Sequence, residues 1–373
     1  MPLVHDERTV RMSVSSFSAE RQLELNGTCG IECQSELPEP SIEDLQKMLS
    51  YETMYENGTR TLTSVTLQGL EVTSGNASSS SASRHKREVY GPDTRFTISD
   101  KQYSMKYPFS TAVKISTGCT GVLVSPKHVL TAAHCIHNGT DYIQGAEKLS
   151  VGVLRDKKKG GKRRRGKDRK ETEETEKVET KTEGKKRERK SKGRKNRSKR
   201  SVPSGKPTFR WTRVKKTQIP KGWFKGVSDS AEADYDYAVL ELKKAQKAQH
   251  MELGIIPSVK KVPASRIHFS GFDDDRPGNL VYRFCSVSDE STDLIYQQCD
   301  AKPGASGAGV YVRLKEPGKR KWKRKVIGVF TGHQWVQVNG QQQDYNVAVR
   351  ITPVKFAQIC SWLHGESSMC QNI

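Results

Sequence analysis

The sequence predicts an all-β protein of many short strands, closed as a barrel or stacked as a sandwich, with one helix near its C-terminus. Three observations carry this. From Glu88 onward, short apolar runs recur between Gly, Pro and Ser clusters, the pattern of a many-stranded fold. Only Pro353 to His364 (PVKFAQICSWLH) has helical periodicity, and it begins with a proline, which suits a first helical turn. The chain of 373 residues holds eight cysteines, an even number that suits a disulfide framework.

The first 87 residues are polar and weakly periodic and are expected to form a largely irregular pro-segment. Ile42 to Tyr51 is its one expected helix, with Ser41 as N-cap and Asp44 three residues later. Gly75 to Ser83 (GNASSSSAS) reads as a flexible linker. Arg84-His85-Lys86-Arg87 follows it as a processing site, with cleavage after Arg87 by a secretory-pathway protease. Residues 88–373 are then the folded domain. Strands are expected over 109–115, 121–124, 128–130, 149–154, 208–214, 237–242, 266–269, 281–285, 309–314 and 326–330. The apolar residues Val354, Ala357 and Cys360 should share one face of the final helix, with Phe356 and Trp362 near its edges.

Residues 155–200 interrupt the strands. They carry 24 Lys/Arg against 9 Asp/Glu, a net +15 of the chain's +22, with almost no apolar residue. Such a segment buries too little surface to offset its ordering entropy, so a disordered basic insert is expected. It ends in Arg197-Ser198-Lys199-Arg200, a second processing site after Arg200. A loop of this charge attracts polyanions such as heparan sulfate with salt-dependent affinity. Nucleic acid is not expected, because the insert has no aromatic residue for base stacking. The rest of the chain carries only +7.

Sequons at Asn26, Asn57, Asn76, Asn138 and Asn196 accompany the paired cysteines. Together they favour an oxidising, secretory route and an extracellular protein. The opening MPLVHDERTVRMSV has no apolar leader core, so the leader is expected upstream of Met1. No run of 18 apolar residues occurs. No cysteine pair has zinc-site spacing backed by a second C-x-x-C, and neither a metal nor a cofactor is expected.

The chemistry concentrates in three stretches. Residues 129–135 read VLTAAHC: an apolar strand runs into a turn of small residues that ends in His134 and Cys135. Cys119 lies 16 residues earlier in GCTGVLVSP, and a disulfide between Cys119 and Cys135 would clamp the hairpin that presents the histidine. Residues 234–242 read DYDYAVLEL, with Asp236 directly before the apolar run and Asp234 as the alternative carboxylate. Residues 297–312 read QQCDAKPGASGAGVYV and frame Ser306 with Gly304 and Gly307. A serine nucleophile needs a histidine base and a carboxylate to orient that base.

The T-A-A-H-C block resembles that of the trypsin-like serine endopeptidases, as does the chain order His134, Asp236, Ser306. The resemblance implies a two-barrel, chymotrypsin-like fold and peptide-bond hydrolysis. In that role Asp236 accepts the Nδ1 proton of His134, and His134 is the base for Ser306. The backbone N–H groups of Gly304 and Ser306 form the oxyanion hole. Asp300, six residues before Ser306, stands where the family reads basic substrates, although Lys302 replaces the cysteine that frames that pocket. His333, in FTGHQW, is a second candidate specificity residue, and Cys285–Cys299 a second expected disulfide. Cys29, Cys33, Cys360 and Cys370 are open between local pairing and pairing across the pro-segment boundary. His128 and His137 read as solvated turn residues.

Two departures stand out. The family's G-D-S-G aspartate, which pairs with the amine freed by zymogen cleavage, is Ala305 here, and the new N-terminus would read Glu88-Val89-Tyr90-Gly91. In lacking that aspartate the chain is similar to bacterial glutamyl endopeptidases, which have G-N-S-G. The pro-segment CGIECQSELPEPS and the basic insert resemble one animal subgroup of the family. Some members of that subgroup are regarded as inactive because threonine replaces the nucleophile; this chain has Ser306.

Overall fold

The computed structural model describes residues 1–21, 39–70, 93–155, 208–227, 232–261, 266–315, 321–338, 341–365 and 370. The N-terminal part forms β1 (Leu3–Arg11), helix α1 (Ile42–Leu49), β2 (Tyr51–Tyr55) and β3 (Arg60–Gln68). The short β4 (Phe96–Ile98) and α2 (Lys101–Ser104) lead into β5 (Ala112–Ile115), β6 (Thr120–Leu123), β7 (His128–Thr131), β8 (Ser150–Arg155), β9 (Thr208–Pro220) and β10 (Ala238–Leu242). These last six close on themselves in the order β9-β10-β7-β6-β5-β8, because β8 also pairs with β9. Val113, Ile115, Leu123, Val129, Val151 and Leu240 share one face of these strands and are buried in the core.

After β11 (Glu252–Leu253) come β12 (Arg266–Gly271), β13 (Leu280–Glu290), β14 (Leu294–Gln297), β15 (Gly309–Lys315), β16 (Trp322–Val338) and β17 (Gln341–Arg350). The last six close a second barrel in the order β16-β15-β12-β13-β14-β17, with β16 pairing back to β17. Ile267, Phe269, Val310, Val312 and Phe330 pack inside it. Helix α3 (Pro353–His364) ends the fold, capped by the Thr352 side chain and by Gly365 in the left-handed region. Two closed six-stranded barrels with a C-terminal helix are the architecture expected from the resemblance.

The N-terminal segment differs from the expectation of a largely irregular chain. Its described residues are built into the first barrel's sheet: β2 pairs with β9 from Tyr51↔Pro220 to Tyr55↔Lys216. β3 pairs with β2, and β1 with β3. The described residues on both sides of the insert form one compact unit. The signal was local: Glu56-Asn57-Gly58-Thr59 is an Asn-Gly hairpin turn, with Gly58 at φ +80°, between two runs of β-branched and aromatic residues. Helix α1 begins where expected but stops at Leu49, because Ser50 caps it and Tyr51 already belongs to β2; the Ser41 side chain accepts the Asp44 N–H at 3.1 Å.

Buried polar contacts fasten this segment. Glu52 is 2 % exposed. It accepts the Arg60 guanidinium at 2.5 and 2.9 Å and the Tyr142 hydroxyl, from the first barrel, at 2.7 Å. The Tyr51 ring meets Trp362 of α3 edge-on at 5.2 Å.

Two histidines also depart from the solvated turn positions expected of them. His137 is fully buried, edge-on to Tyr142 at 4.8 Å and to Phe224 at 4.6 Å, and its Nδ1 accepts the Gly139 N–H. His128 is half-buried, with Nδ1 2.7 Å from the Ser125 hydroxyl. Disulfides join Cys119–Cys135, Cys285–Cys299 and Cys360–Cys370; Cys29 and Cys33 lie outside the described residues, as do Arg87 and Arg200, where processing is expected, and most of the insert.

Glu52→Ala would leave a half-buried guanidinium and a buried hydroxyl without their acceptor, so urea unfolding should report a loss of about 3 kcal/mol, whereas Glu52→Gln should lose less. Burial holds the His137 imidazole down at about 3. The unfolded chain therefore binds the proton first, and stability present above about pH 6.5 is lost as pH falls toward 3. Between pH 7.5 and 5 the parent should lose roughly 2 kcal/mol through this group. An equal loss in His137→Gln would remove His137 as the cause.

Candidate active site

The site lies where the barrels meet. β7 ends at Thr131, and the chain turns through a single 3-10 turn, Ala133–Cys135, that holds His134. Small residues at 132 and 133, both fully buried, let this turn sit against the barrel. The Cys119–Cys135 disulfide ties it to the start of β6. Asp236 precedes β10, which pairs with β7 from Ala238↔Thr131. That register brings the carboxylate under the histidine. Asp236 Oδ1 accepts the His134 backbone N–H at 2.8 Å and Oδ2 meets His134 Nδ1 at 2.7 Å. Asp236 is fully buried and His134 is 2 % exposed. Asp234, the alternative carboxylate, lies in the preceding 3-10 turn, Glu232–Tyr235.

The sulfurs of Cys119 and Cys135 and a His134 ring nitrogen cluster within 4.8 Å. The two sulfurs are bonded to each other, so the cluster offers no thiolate to a metal ion.

Ser306 enters from the second barrel on the loop before β15. A residue with no motif to mark it in the sequence, Thr120, holds that loop. Its N–H donates to Ser306 O at 2.9 Å and its hydroxyl to Gly304 O at 2.7 Å. The same hydroxyl accepts the Phe272 N–H at 2.9 Å. Gly307, at φ +84°, lies so close to the first barrel that a Cβ there would be 2.2 Å from both Thr120 O and Thr131 Oγ1. The serine loop is thus pressed against the strand that leads into His134. Ser306 is 8 % exposed. Among the described residues no hydrogen bond joins its hydroxyl to the imidazole.

The four residues Lys302-Pro303-Gly304-Ala305 form a turn closed by the Ala305 N–H on Lys302 O at 3.1 Å. Proline at the second position and glycine at the third, here at φ +98°, are the type II preference. Proline-glycine is a readable turn signal. Among the described residues neither the Gly304 nor the Ser306 N–H is taken by a protein acceptor. A Cβ at Gly304 would lie 2.5 Å from Phe272 O.

A buried charge network supports this turn. Asp273, 1 % exposed, meets Arg95 at 2.9 Å and Arg283 at 2.5 Å and accepts the Lys302 N–H at 3.2 Å. The Asp274 N–H donates to Pro303 O at 2.7 Å. Arg95 also pairs with Asp93 and Asp275. Ala305 is fully buried, and a side chain at Gly271 would meet both it and Arg283 Nη1.

Asp300 is not an open acceptor. It is 1 % exposed, and its Oδ2 takes the Thr94 N–H and hydroxyl, each at 2.7 Å. His333 is 6 % exposed, with Nε2 on Asp344 and its ring edge-on to Trp335 at 5.2 Å. Of the sequons, Asn57 is exposed at its hairpin tip, while Asn138 is half-buried and its side chain accepts two backbone N–H groups. Asn26, Asn76 and Asn196 lie outside the described residues.

Comparison with known proteins places the chain in a family. A model of the family described as Trypsin matches residues 98–185. "Inactive serine protease 35" of Bos taurus is 60% identical over 376 residues, covering 99% of this chain and 91% of the relative. The protein of the same description from Homo sapiens is 58% identical, with 99% and 91% covered. The chain belongs to the trypsin-like serine proteases. "Serine protease 23" of Bos taurus is 49% identical to this trypsin-family chain and covers all of it and 90% of the relative. A solved structure described as "Structure of Glu endopeptidase in complex with MPD" has 17% identity and a TM-score of 0.48, over 74% of this chain and 100% of its own. As in other trypsin-family proteins, the fold is all-β.

The close approach at Gly307 yields a stability prediction. Gly307→Ala combines overpacking with a strained φ and should cost about 2–5 kcal/mol. Gly145→Ala, at φ +91° with nothing within 4 Å of the new Cβ, should cost only about 1 kcal/mol. Thermal melting of the two variants checks the difference.

Proposed function

We propose that the chain is a secreted serine endopeptidase with a His134/Asp236/Ser306 triad. The observation that carries this is the buried Asp236 carboxylate, whose two oxygens both engage His134. With Nδ1–H donated to Asp236, the imidazole keeps the Nε2 lone pair for use as a base; Nε2 lies 3.8 Å from Cys135 Sγ. Nε2 removes the Ser306 hydroxyl proton as Oγ bonds to the scissile carbonyl carbon. The carbonyl electrons move to oxygen, and the N–H groups of Gly304 and Ser306 stabilise that oxyanion. The imidazolium then gives its proton to the departing amine as the peptide C–N bond breaks, leaving an acyl-enzyme. Water, activated by the same histidine, releases the acid. These steps need no metal or cofactor.

Processing after Arg87 belongs to this reading, and so does a second cut after Arg200. A cut after Arg87 would not by itself release residues 1–70, because β2 stays paired to β9 and Glu52 to Tyr142. With Asp300 occupied by Thr94, a basic substrate side chain has no free carboxylate there; His333, fixed by Asp344, is the better candidate for a specificity role. Three disulfides among the described residues fit an extracellular protein. None of the described helices is long and apolar enough to cross a membrane.

A second reading has two observations in its favour. Relatives at 54–60% identity carry "Inactive" in their names, and among the described residues no hydrogen bond joins Ser306 to His134. On that reading the barrels are a scaffold and the basic insert, 155–200, binds heparan sulfate or another polyanion. Reaction with a fluorophosphonate probe separates the two. Protein secreted behind an added leader and cut after Arg87 should be labelled on Ser306, and His134→Ala should lower the labelling rate by a factor of at least about a thousand. A folded, correctly cut protein that takes no label would sink the protease reading.

A further inference from the structure

The outer face of the second barrel carries arginines and aromatic rings in alternation. Strand pairing sets His268 beside Phe284 and Tyr311, Tyr282 beside Phe96, and Arg313 beside Arg324. Phe96 stacks on Phe284 with ring centroids 5.9 Å apart and planes 4° from parallel. Each arginine lies over a ring: Arg266 over Phe284 at 4.9 Å, Arg313 over Trp322 at 5.6 Å and Arg324 over Tyr107 at 5.6 Å. Phe96 and Trp322 are 54 % and 46 % exposed.

None of these three arginines meets a carboxylate at ion-pair distance among the described residues. By contrast Arg60, Arg95, Arg276, Arg283 and Arg350 each do. The nearby acid Glu252 is held by Lys325 at 2.9 Å. The three positive charges act on one point. His268, hydrogen-bonded to the Tyr282 hydroxyl at 2.8 Å, is pushed down to about 4 by burial and then by Arg313, Arg266 and Arg324. The histidine is therefore neutral at physiological pH and does not add to the charge. Rings that hold guanidinium groups in place, without neutralising them, leave their N–H forks free for an outside anion.

We infer that this face, centred on Arg266, Arg313, Arg324, Phe96 and Trp322, is a binding platform for a sulfated polysaccharide. Sulfate oxygens match the guanidinium forks, and the apolar faces of sugar rings can lie on the two exposed aromatic rings. Single-stranded nucleic acid shares part of this chemistry. The disulfides favour an oxidising compartment, where sulfated glycans are the available polyanion. The platform is separate from the basic insert and does not depend on proteolytic activity.

The test uses the full chain and a heparin oligosaccharide of defined length. Hydrogen exchange should slow in β12, β13, β15 and β16 when the oligosaccharide is added. Protection confined to the insert, or absent, would overturn the inference. Combined R266Q, R313Q and R324Q should weaken binding by at least about tenfold, since loss of even one of the three charge-assisted contacts has that effect, with fluorophosphonate labelling and melting temperature unchanged. Should that variant fail to fold, Phe96→Ala, at an exposed position, must still weaken binding, and unchanged affinity would count against the platform. A single-stranded oligonucleotide of equal charge should bind more weakly at the same salt; equal or tighter binding would overturn the choice of polysaccharide.

Discussion

The site depends on Thr120. His134 and Asp236 belong to the first barrel and Ser306 to the second, so how closely Ser306 approaches His134 is set between two separately closed sheets. Thr120 bridges it with one N–H and one hydroxyl, which reach Ser306, Gly304 and Phe272. A hydroxyl both donates and accepts, and this one does both while fully buried. The glycine at 307 is the counterpart of that bridge, since a side chain there would drive the barrels apart.

The second constraint is charge. In the trypsin-like pattern, an aspartate beside the nucleophile answers an amine created by cleavage. Here the position is Ala305, and a cluster of charges lies beneath the turn: Asp273 sits between Arg95 and Arg283 and takes the Lys302 N–H, while Arg95 also meets Asp93 and Asp275. Such a pair is costly to bury and costly to break, so it acts more as a locator than as a source of net stability. The Pro303-Gly304 turn above it has its own backbone preference. The serine loop therefore has two supports within the described residues, and neither of them involves a newly cut N-terminus.

The N-terminal segment adds to this picture. It extends the first barrel's sheet and contacts α3, so it is part of the fold's packing and not an appendage. It covers the Lys216–Pro220 stretch of the β9 edge, and β1 becomes the terminal strand of that sheet.

Much of this is legible in the chain itself. The expected strands in both barrels, the N-cap of α1, the final helix, and the His134, Asp236 and Ser306 stretches all follow local rules: alternation, capping, and a motif whose residues lie close in sequence. What the sequence hides has long-range causes. β17 carries no strand signal at its start, because QQQDYNVAVR begins with a polar run, and its strand character comes from pairing with β14 and β16. His137 has the sequence context of a turn residue until Tyr142 and Phe224 close over it. By itself the sequence determined which groups this protein has and the local turns that present them. Only the tertiary structure decided which of them meet: Thr120 with Gly304 across 184 positions and Thr94 with Asp300 across 206. Contacts of that separation leave no periodicity in the chain, because they are set by how two closed sheets pack and not by the residues on either side.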